Sequence, residues 1–156
     1  MSYTSVIDVL LLLVREHHVL LALRENTGYA DGQWNLPSGK LEDSEHILDA
    51  LVRETREEIA LDIDPGQARM VVALHNRNPE GQARVGFFFE VARWCGEPAN
   101  AEPHKCAKLA WHPLDMLPAN TVPYTAAGIA HYLHNQPFRP RAASTDAEVS
   151  GAGQPP

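Results

Sequence analysis

Residues 9–14 read Val-Leu-Leu-Leu-Leu-Val, an apolar run with no polar interruption. It lies within a strand expected over residues 3–14. Successive side chains of a strand point to opposite faces, so an unbroken run describes a strand buried on both sides. The sheet that contains it needs a packing layer on each face. The run is far too short to cross a bilayer, which takes about 20 apolar residues, and nothing resembling a signal peptide precedes it.

The rest of the chain supplies partners for such a strand. Residues 18–24 read as a second strand after a tight turn near Glu16-His17. Residues 25–38 form a long loop with Gly28, Gly32 and Pro37, of a length that often carries function. Residues 68–77 and 83–93 read as a hairpin around Asn78-Pro79-Glu80-Gly81. A loop from Cys95 to Lys105 leads to a short strand at 108–112, and residues 113–117 suit one helical turn. Pro123 fits the first turn of a helix ending near Asn135, with Ala127, Ile129, Ala130 and Leu133 as its apolar side. Strands interleaved with two helices suit an α/β (α+β) arrangement, a mixed central sheet sandwiched between helices. One domain is expected over 1–136. The Pro-, Ala-, Ser- and Gly-rich segment 137–156 lacks a packing pattern and is expected to be a flexible tail.

The stretch from Gly39 to Leu61, GKLEDSEHILDALVRETREEIAL, predicts a helix with an awkward charge distribution. Ser44 suits the N-cap, and Glu42, Asp43 and Glu45 suit the positive end of the helix dipole. Ile47, Leu48, Leu51, Val52 and Ile59 gather on one stripe. At about 100° per residue, Glu54, Glu57 and Glu58 fall at roughly 0°, −60° and +40°. Three carboxylates on one face repel, and the Glu54–Glu58 pair costs a few tenths of a kcal/mol. Glu58 sits at the edge of the apolar stripe, where a carboxylate needs a partner. Arg53 shares a ridge with Glu45, Asp49 and Glu57 and can pair with Asp49 and Glu57, yet it cannot neutralise all three glutamates. The segment Trp34-Asn35-Leu36-Pro37-Ser38-Gly39 leads directly in and can bring backbone carbonyls beside them. Hard oxygen donors of this kind describe a Mg²⁺ or Mn²⁺ site better than a zinc site.

These residues resemble the Nudix box, in which a glycine, a glutamate, an Arg-Glu pair and a Glu-Glu pair recur at fixed spacing. The matching positions are Gly39, Glu45, Arg53, Glu54, Glu57, Glu58 and Leu61. Thr55 stands where the box has an aliphatic residue, and Ala60 where it has its last glycine. Ala60 argues that this helix end does not require a left-handed glycine. The Leu-Pro-Ser-Gly lead-in and flanking strands extend the likeness over most of residues 3–135.

The resemblance implies the Nudix-type α/β/α sandwich and a Mg²⁺-dependent hydrolase of nucleoside diphosphates linked to another group. Metal would neutralise substrate charge and acidify the attacking water. Carried over residue by residue, Glu57 and Glu58 resemble the principal metal ligands. Glu54 resembles a further ligand or the group that deprotonates water, and the carbonyl of Ser38 completes the set. Glu54, Glu57 and Arg53 are the expected catalytic residues, while Arg53, Glu45 and Gly39 are expected to support the ligands, Arg53 and Glu45 by fixing the glutamates. Family members often add a glutamate from a distant loop, which Glu102 would match as ligand or base; a solvated loop residue is the other reading. His104 and Lys105 stand beside it, within reach of phosphate.

Four residues are candidates for substrate contact. Asn35 could read a base edge or bend the loop, and Trp34 could stack on a base or anchor the loop from inside. Phe87 and Phe89 alternate with Phe88, so one set faces the core and the other could line a pocket, with core filling as the other reading for both. Arg77, with His75 and Arg84, lies on the hairpin, where a cation could meet phosphate or solvent.

A formal charge of −7 disfavours binding to a nucleic-acid polymer, and leaves a free nucleotide with its metal as the expected partner. Cys95 and Cys106 have no zinc-type spacing and read as reduced, which suits a cytoplasmic location without membrane attachment. A homodimer is common in the family. The expected reaction converts a nucleoside triphosphate, oxidised or otherwise non-standard, to monophosphate and pyrophosphate. The alternatives are hydrolysis of ADP-ribose, a nucleotide sugar or a dinucleoside polyphosphate, and a non-catalytic nucleotide-sensing module.

Overall fold

The computed structural model describes residues 1–77 and 80–135. Asn78 and Pro79 of the expected hairpin turn, and the expected tail 137–156, lie outside the described residues. The elements are β1 (Val6–Arg15), β2 (His18–Arg24), β3 (Trp34–Asn35), β4 (Ser38–Lys40), α1 (Ile47–Ile59), β5 (Ala68–Arg77), β6 (Ala83–Val91), β7 (Cys106–Pro113) and α2 (Pro123–His134). A single 3₁₀ turn, Pro65–Gln67, leads into β5. No helix among the described residues is long and apolar enough to cross a membrane.

β1 is the organising strand. It turns back into β2 through Glu16 and His17, both at positive φ (49° and 63°). Two such residues match the right-handed twist of a hairpin. It also runs parallel to β6, from Val6 opposite Arg84 to Leu13 opposite Val91. The antiparallel pairs β5–β6, β2–β7 and β1–β4 complete a mixed sheet.

The two-sided burial expected of β1 is observed. Val9, Leu11 and Leu13 join Leu20, Leu51, Ile59 and Phe89 in one core, beneath α1. Leu10 and Leu12 join Val19, Leu21, Phe88, Ile129 and Tyr132 in a second, beneath α2. Each fully buried leucine contributes about 2 kcal/mol, and alternation along one strand serves both layers. The result is the α/β/α sandwich with a mixed sheet.

Both helices depart from their expected faces. In α1 the buried residues are Ala50, Leu51, Thr55 and Ile59, whereas Leu48 is exposed. Thr55 fills the aliphatic position because its hydroxyl is satisfied locally, donating to the Leu51 carbonyl at 2.7 Å. In α2, Thr125, Gly128, Ile129 and Tyr132 are buried, and Ala127 and Ala130 face outward. The cause is Gly128: a Cβ there would lie 2.1 Å from Phe88 Cε1. The glycine face therefore packs on the sheet, and the Tyr132 hydroxyl bonds to Glu90. Residues 113–117 make a turn rather than a helical turn, because β7 continues to Pro113 and the Met116 N–H bonds to the Pro113 carbonyl.

The ends of α1 correct two further expectations. Ser44 is not the N-cap; it has φ +62° and the helix begins after His46, which makes no side-chain cap. Residues 42–45 form their own turn, with the Glu45 N–H bonded to the Glu42 carbonyl and the Glu42 N–H to the Glu45 carboxylate. Ala60 does adopt the left-handed conformation, with φ 53° and ψ 35°, and its N–H bonds to the Arg56 carbonyl. A left-handed L-residue costs roughly 1–2 kcal/mol, partly offset by glycine's greater unfolded freedom. Ala60→Gly is therefore expected to stabilise the protein by about 0.5–1 kcal/mol, or ~2–4 °C in thermal unfolding. An unchanged or lower midpoint would show that the helix end carries no such strain.

Candidate active site

The site forms where β4 passes beside α1. Leu11 N–H bonds to the Pro37 carbonyl and Leu41 N–H to the Ile7 carbonyl, so Ser38, opposite Leu10, occupies the intervening, non-bonded position of the ladder. Its N–H and C=O consequently turn away from β1. The N–H donates to Glu58 Oε2 at 2.9 Å, and the carbonyl faces the same side. Next to it, a Cβ on Gly39 would stand 1.9 Å from the Glu54 carboxyl carbon. Only a residue without a side chain leaves room for that carboxylate.

Arg53 holds the acids in order. Its Nε and Nη2 donate to the two oxygens of Glu45 at 2.7 and 3.0 Å. Nη1 donates to Glu54 at 2.7 Å and to Glu57 at 3.3 Å, and Nη2 also reaches the Lys40 carbonyl at 3.2 Å. Glu42 lies 3.8 Å away. The expected pairing with Glu57 is present, while Asp49 is not among the partners. The planar fork suits Glu45, which lies beyond the helix start and can meet two donors at once.

Glu102 arrives from the loop before β7. That loop closes the C-terminus of α1, with Ala99 N–H bonded to the Ile59 carbonyl and Ala101 N–H to the Glu58 carbonyl. These carbonyls lack partners inside the helix, so capping them delivers Glu102 to the acidic face. Asn100 fixes the loop further, donating to the Cys106 carbonyl at 2.7 Å and accepting from the Glu102 N–H at 3.1 Å.

Together these residues wall a cavity of about 450 Å³. Its acids are Glu42, Glu54, Glu57, Glu58 and Glu102; its cations are Arg24, Arg53 and Lys105. Burial pushes the Glu58 carboxyl up to about 8, reinforced by Glu54 and Glu102 and opposed by the Ser38 N–H. Burial also raises Glu54, against the pull of Arg53. Glu45 is lowered by its bonds to Arg53, which keeps it a fixed anion. Among the described residues, Glu58 forms no ion pair, so the concentrated negative charge is only partly compensated. Oxygen donors around an under-neutralised carboxylate fit a hard divalent cation. As the side chains stand, with Glu54 and Glu57 drawn to Arg53, no three His, Cys, Asp or Glu groups among the described residues converge as a ready-made cluster.

The structure brings together Ser38, Gly39, Glu45, Arg53, Glu54, Glu57, Glu58 and Glu102, as well as Asn35. It does not bring in the other three candidate substrate residues. Trp34 is 7% exposed in the α2-side core, edge-on to His112, because β3 is stitched between β2 and residues 120–122. Phe87 packs against the α1-side core, since both faces of β6 are covered. Arg77 lies at the exposed hairpin end, bonded to the Gly81 carbonyl, and does not line the cavity. His75 pairs with Tyr3, and Arg84 with Asp8. Sequence reasoning missed Arg24, which bonds to the Tyr29 carbonyl and Thr27 hydroxyl while lining the cavity. A cation at the entry to a long loop was the available signal.

The chain is similar to known proteins along most of its described length. The NUDIX domain family matches residues 3–133. An 8-oxo-dGTP diphosphatase from Proteus vulgaris is 32% identical over 83 residues, covering 53% of this chain and 71% of that protein. The human 8-oxo-dGDP phosphatase NUDT18 is 32% identical over 131 residues, which is 80% of this chain; the chain spans 36% of that longer protein. Among solved structures, a MutT Nudix hydrolase from Burkholderia pseudomallei is 25% identical with a TM-score of 0.75, covering 83% of this chain and 98% of its own. A MutT protein from Methanosarcina mazei Go1, 16% identical with a TM-score of 0.73 over 88% of this chain and 99% of that one, shares the fold. The family match spans almost the whole described chain, and the chain belongs to the Nudix hydrolases.

Proposed function

We propose that this protein hydrolyses a nucleoside triphosphate with an oxidised base, of the 8-oxo-dGTP type, to monophosphate and pyrophosphate. The observation that carries the reading is the cavity itself, where a partly buried acid cluster meets Arg24 and Lys105. A diphosphate brings negative charge that the cations can meet on one side, while the acids need a counter-ion on the other. Relatives named for oxidised guanine nucleotides supply the substrate class.

In this reading Glu54, Glu57, Glu58 and the Ser38 carbonyl would hold Mg²⁺ or Mn²⁺, which when bound supplies charge neutralisation and a more acidic water. Glu102 would assist from the loop. The chain's own part is positional. Arg53 and Glu45 fix the carboxylates, Gly39 leaves space for Glu54, and Arg24 and Lys105 orient the phosphates. Water oxygen adds to one phosphorus as the P–O–P bridge breaks, and a carboxylate takes the proton. Glu54, raised by burial, is suited to that transfer. Unpaired Cys95 and Cys106 agree with a cytoplasmic location.

A nucleoside diphosphate is the second reading, favoured by the 80% of this chain that aligns with the 8-oxo-dGDP phosphatase. A panel of oxidised and unmodified nucleoside tri- and diphosphates with Mg²⁺ or Mn²⁺ separates them. Pyrophosphate released from triphosphates is expected; orthophosphate from diphosphates alone favours the second, and turnover of neither removes both.

Glu57→Gln and Glu58→Gln should each lower kcat by about 100-fold or more with the fold retained. Near-normal turnover in both would remove the proposed ligand set. For Glu58 a stability effect is expected in the opposite direction. Its carboxyl is raised in the folded state, so ionising it costs stability as pH climbs from the ordinary carboxylate range through about 8. Metal-free Glu58→Gln should therefore melt higher than wild type near pH 8, with the gap closing near pH 5. A gap independent of pH would mean that Glu58 is not held against its charge.

A further inference from the structure

The hydroxyl of Thr125 is fully buried on the first turn of α2 and bonds to Asn35 Oδ1, in a β3 residue 90 positions away. It performs no capping, since α2 begins at Val122 without a side-chain cap. Both backbones are pinned to each other next to this contact. Trp34 N–H bonds to the Asn120 carbonyl at 3.0 Å, and Val122 N–H to the Trp34 carbonyl at 2.8 Å. The hydroxyl and the amide oxygen therefore face each other across a rigid junction. Asn35 lines the active-site cavity, and its Nδ2 lies 3.4 Å from Ser38 Oγ, beside the N–H that holds Glu58.

An asparagine amide has an acceptor end and a donor end, and free rotation would let it show either. We propose that Thr125 is a positioning residue that sets substrate selectivity: it holds the oxygen of Asn35 inward and leaves the NH₂ group to face the cavity. The site then recognises a substrate atom that accepts a hydrogen bond, such as a carbonyl oxygen or ring nitrogen of a nucleobase. A donor at the same place would meet another donor and leave it unpaired in a desolvated site. The selectivity claim rests on the nucleotide-hydrolase reading; the orientation of the amide does not.

Two measurements test the parts separately. In ¹⁵N-labelled protein, the Asn35 side-chain NH₂ signals are identified by their loss in Asn35→Asp. Thr125→Val keeps the shape but removes the hydroxyl, and should shift or average those signals; Thr125→Ser should restore them. Unchanged signals in Thr125→Val overturn the positioning.

The second measurement is a kinetic cycle with the nucleotide that wild type turns over fastest. Thr125→Val should raise KM about tenfold, the value of one lost hydrogen bond, with kcat within about twofold. Thr125→Ser should stay within about twofold of wild type throughout. In an Asn35→Ala background, Thr125→Val should add less than about twofold. Equal losses in both backgrounds show that Thr125 acts by some route other than Asn35 and overturn the proposal. A wild type that turns over no nucleotide removes the substrate reading instead, and the amide spectra then decide the orientation.

Discussion

Arg53 is the contact on which the site depends. A lone guanidinium engages Glu45 through two bonds, Glu54 and Glu57 through one each, and the Lys40 carbonyl. Those partners belong to the helix, to the turn before it, and to the strand that supplies Ser38 and Gly39. The bonds therefore fix secondary structure as well as charge. Repulsion among carboxylates on one helix face would otherwise splay them into solvent. A lysine could provide the charge but not the planar fork that satisfies Glu45 and Glu54 together.

Arg53 leaves Glu58 out, and that omission sets the electrostatics of the cavity. Glu58 is held by a single backbone N–H and faces the cavity with its charge disfavoured by burial. A domain with ample core from β1 can tolerate such an unfavourable group. The two apolar layers built on alternate residues of β1 supply the stability from which the strained acid cluster draws. Ala60 adds a second small strain at the end of the same helix, where the chain turns toward β5.

Much of this was legible from residue order. The run at 9–14 required a two-sided strand, and the period of the Gly39–Leu61 segment placed three glutamates together. Strand 68–77 and helix 123–134 lie close to where local pattern put them. The departures arise where packing, not local pattern, chose what is buried. Ala127 and Ala130 fit a helical stripe, but the buried face of α2 was chosen by shape, with Gly128 against Phe88, and Leu48 lies outside the face of α1 that Ala50, Leu51, Thr55 and Ile59 bury. Trp34 and Phe87 are suited to stacking on a base, yet Trp34 points from β3 into the α2-side core while Asn35 faces the cavity, and Phe87 packs on the α1-side core.

The sequence by itself determined the family, through the spacing of Gly39, Glu45, Arg53, Glu54, Glu57 and Glu58 that matches its box, and helical periodicity alone set three glutamates on one face. It also determined the two-layered sheet, since an uninterrupted apolar strand has no face to give to water. Tertiary structure decided everything that joins distant segments. The register of β4 on β1 turned the Ser38 N–H toward Glu58, and the cap on α1 delivered Glu102. Long-range stitching at Trp34 placed Thr125 against Asn35. Such contacts arise when packed layers bring chain segments into reach, and no local period encodes them.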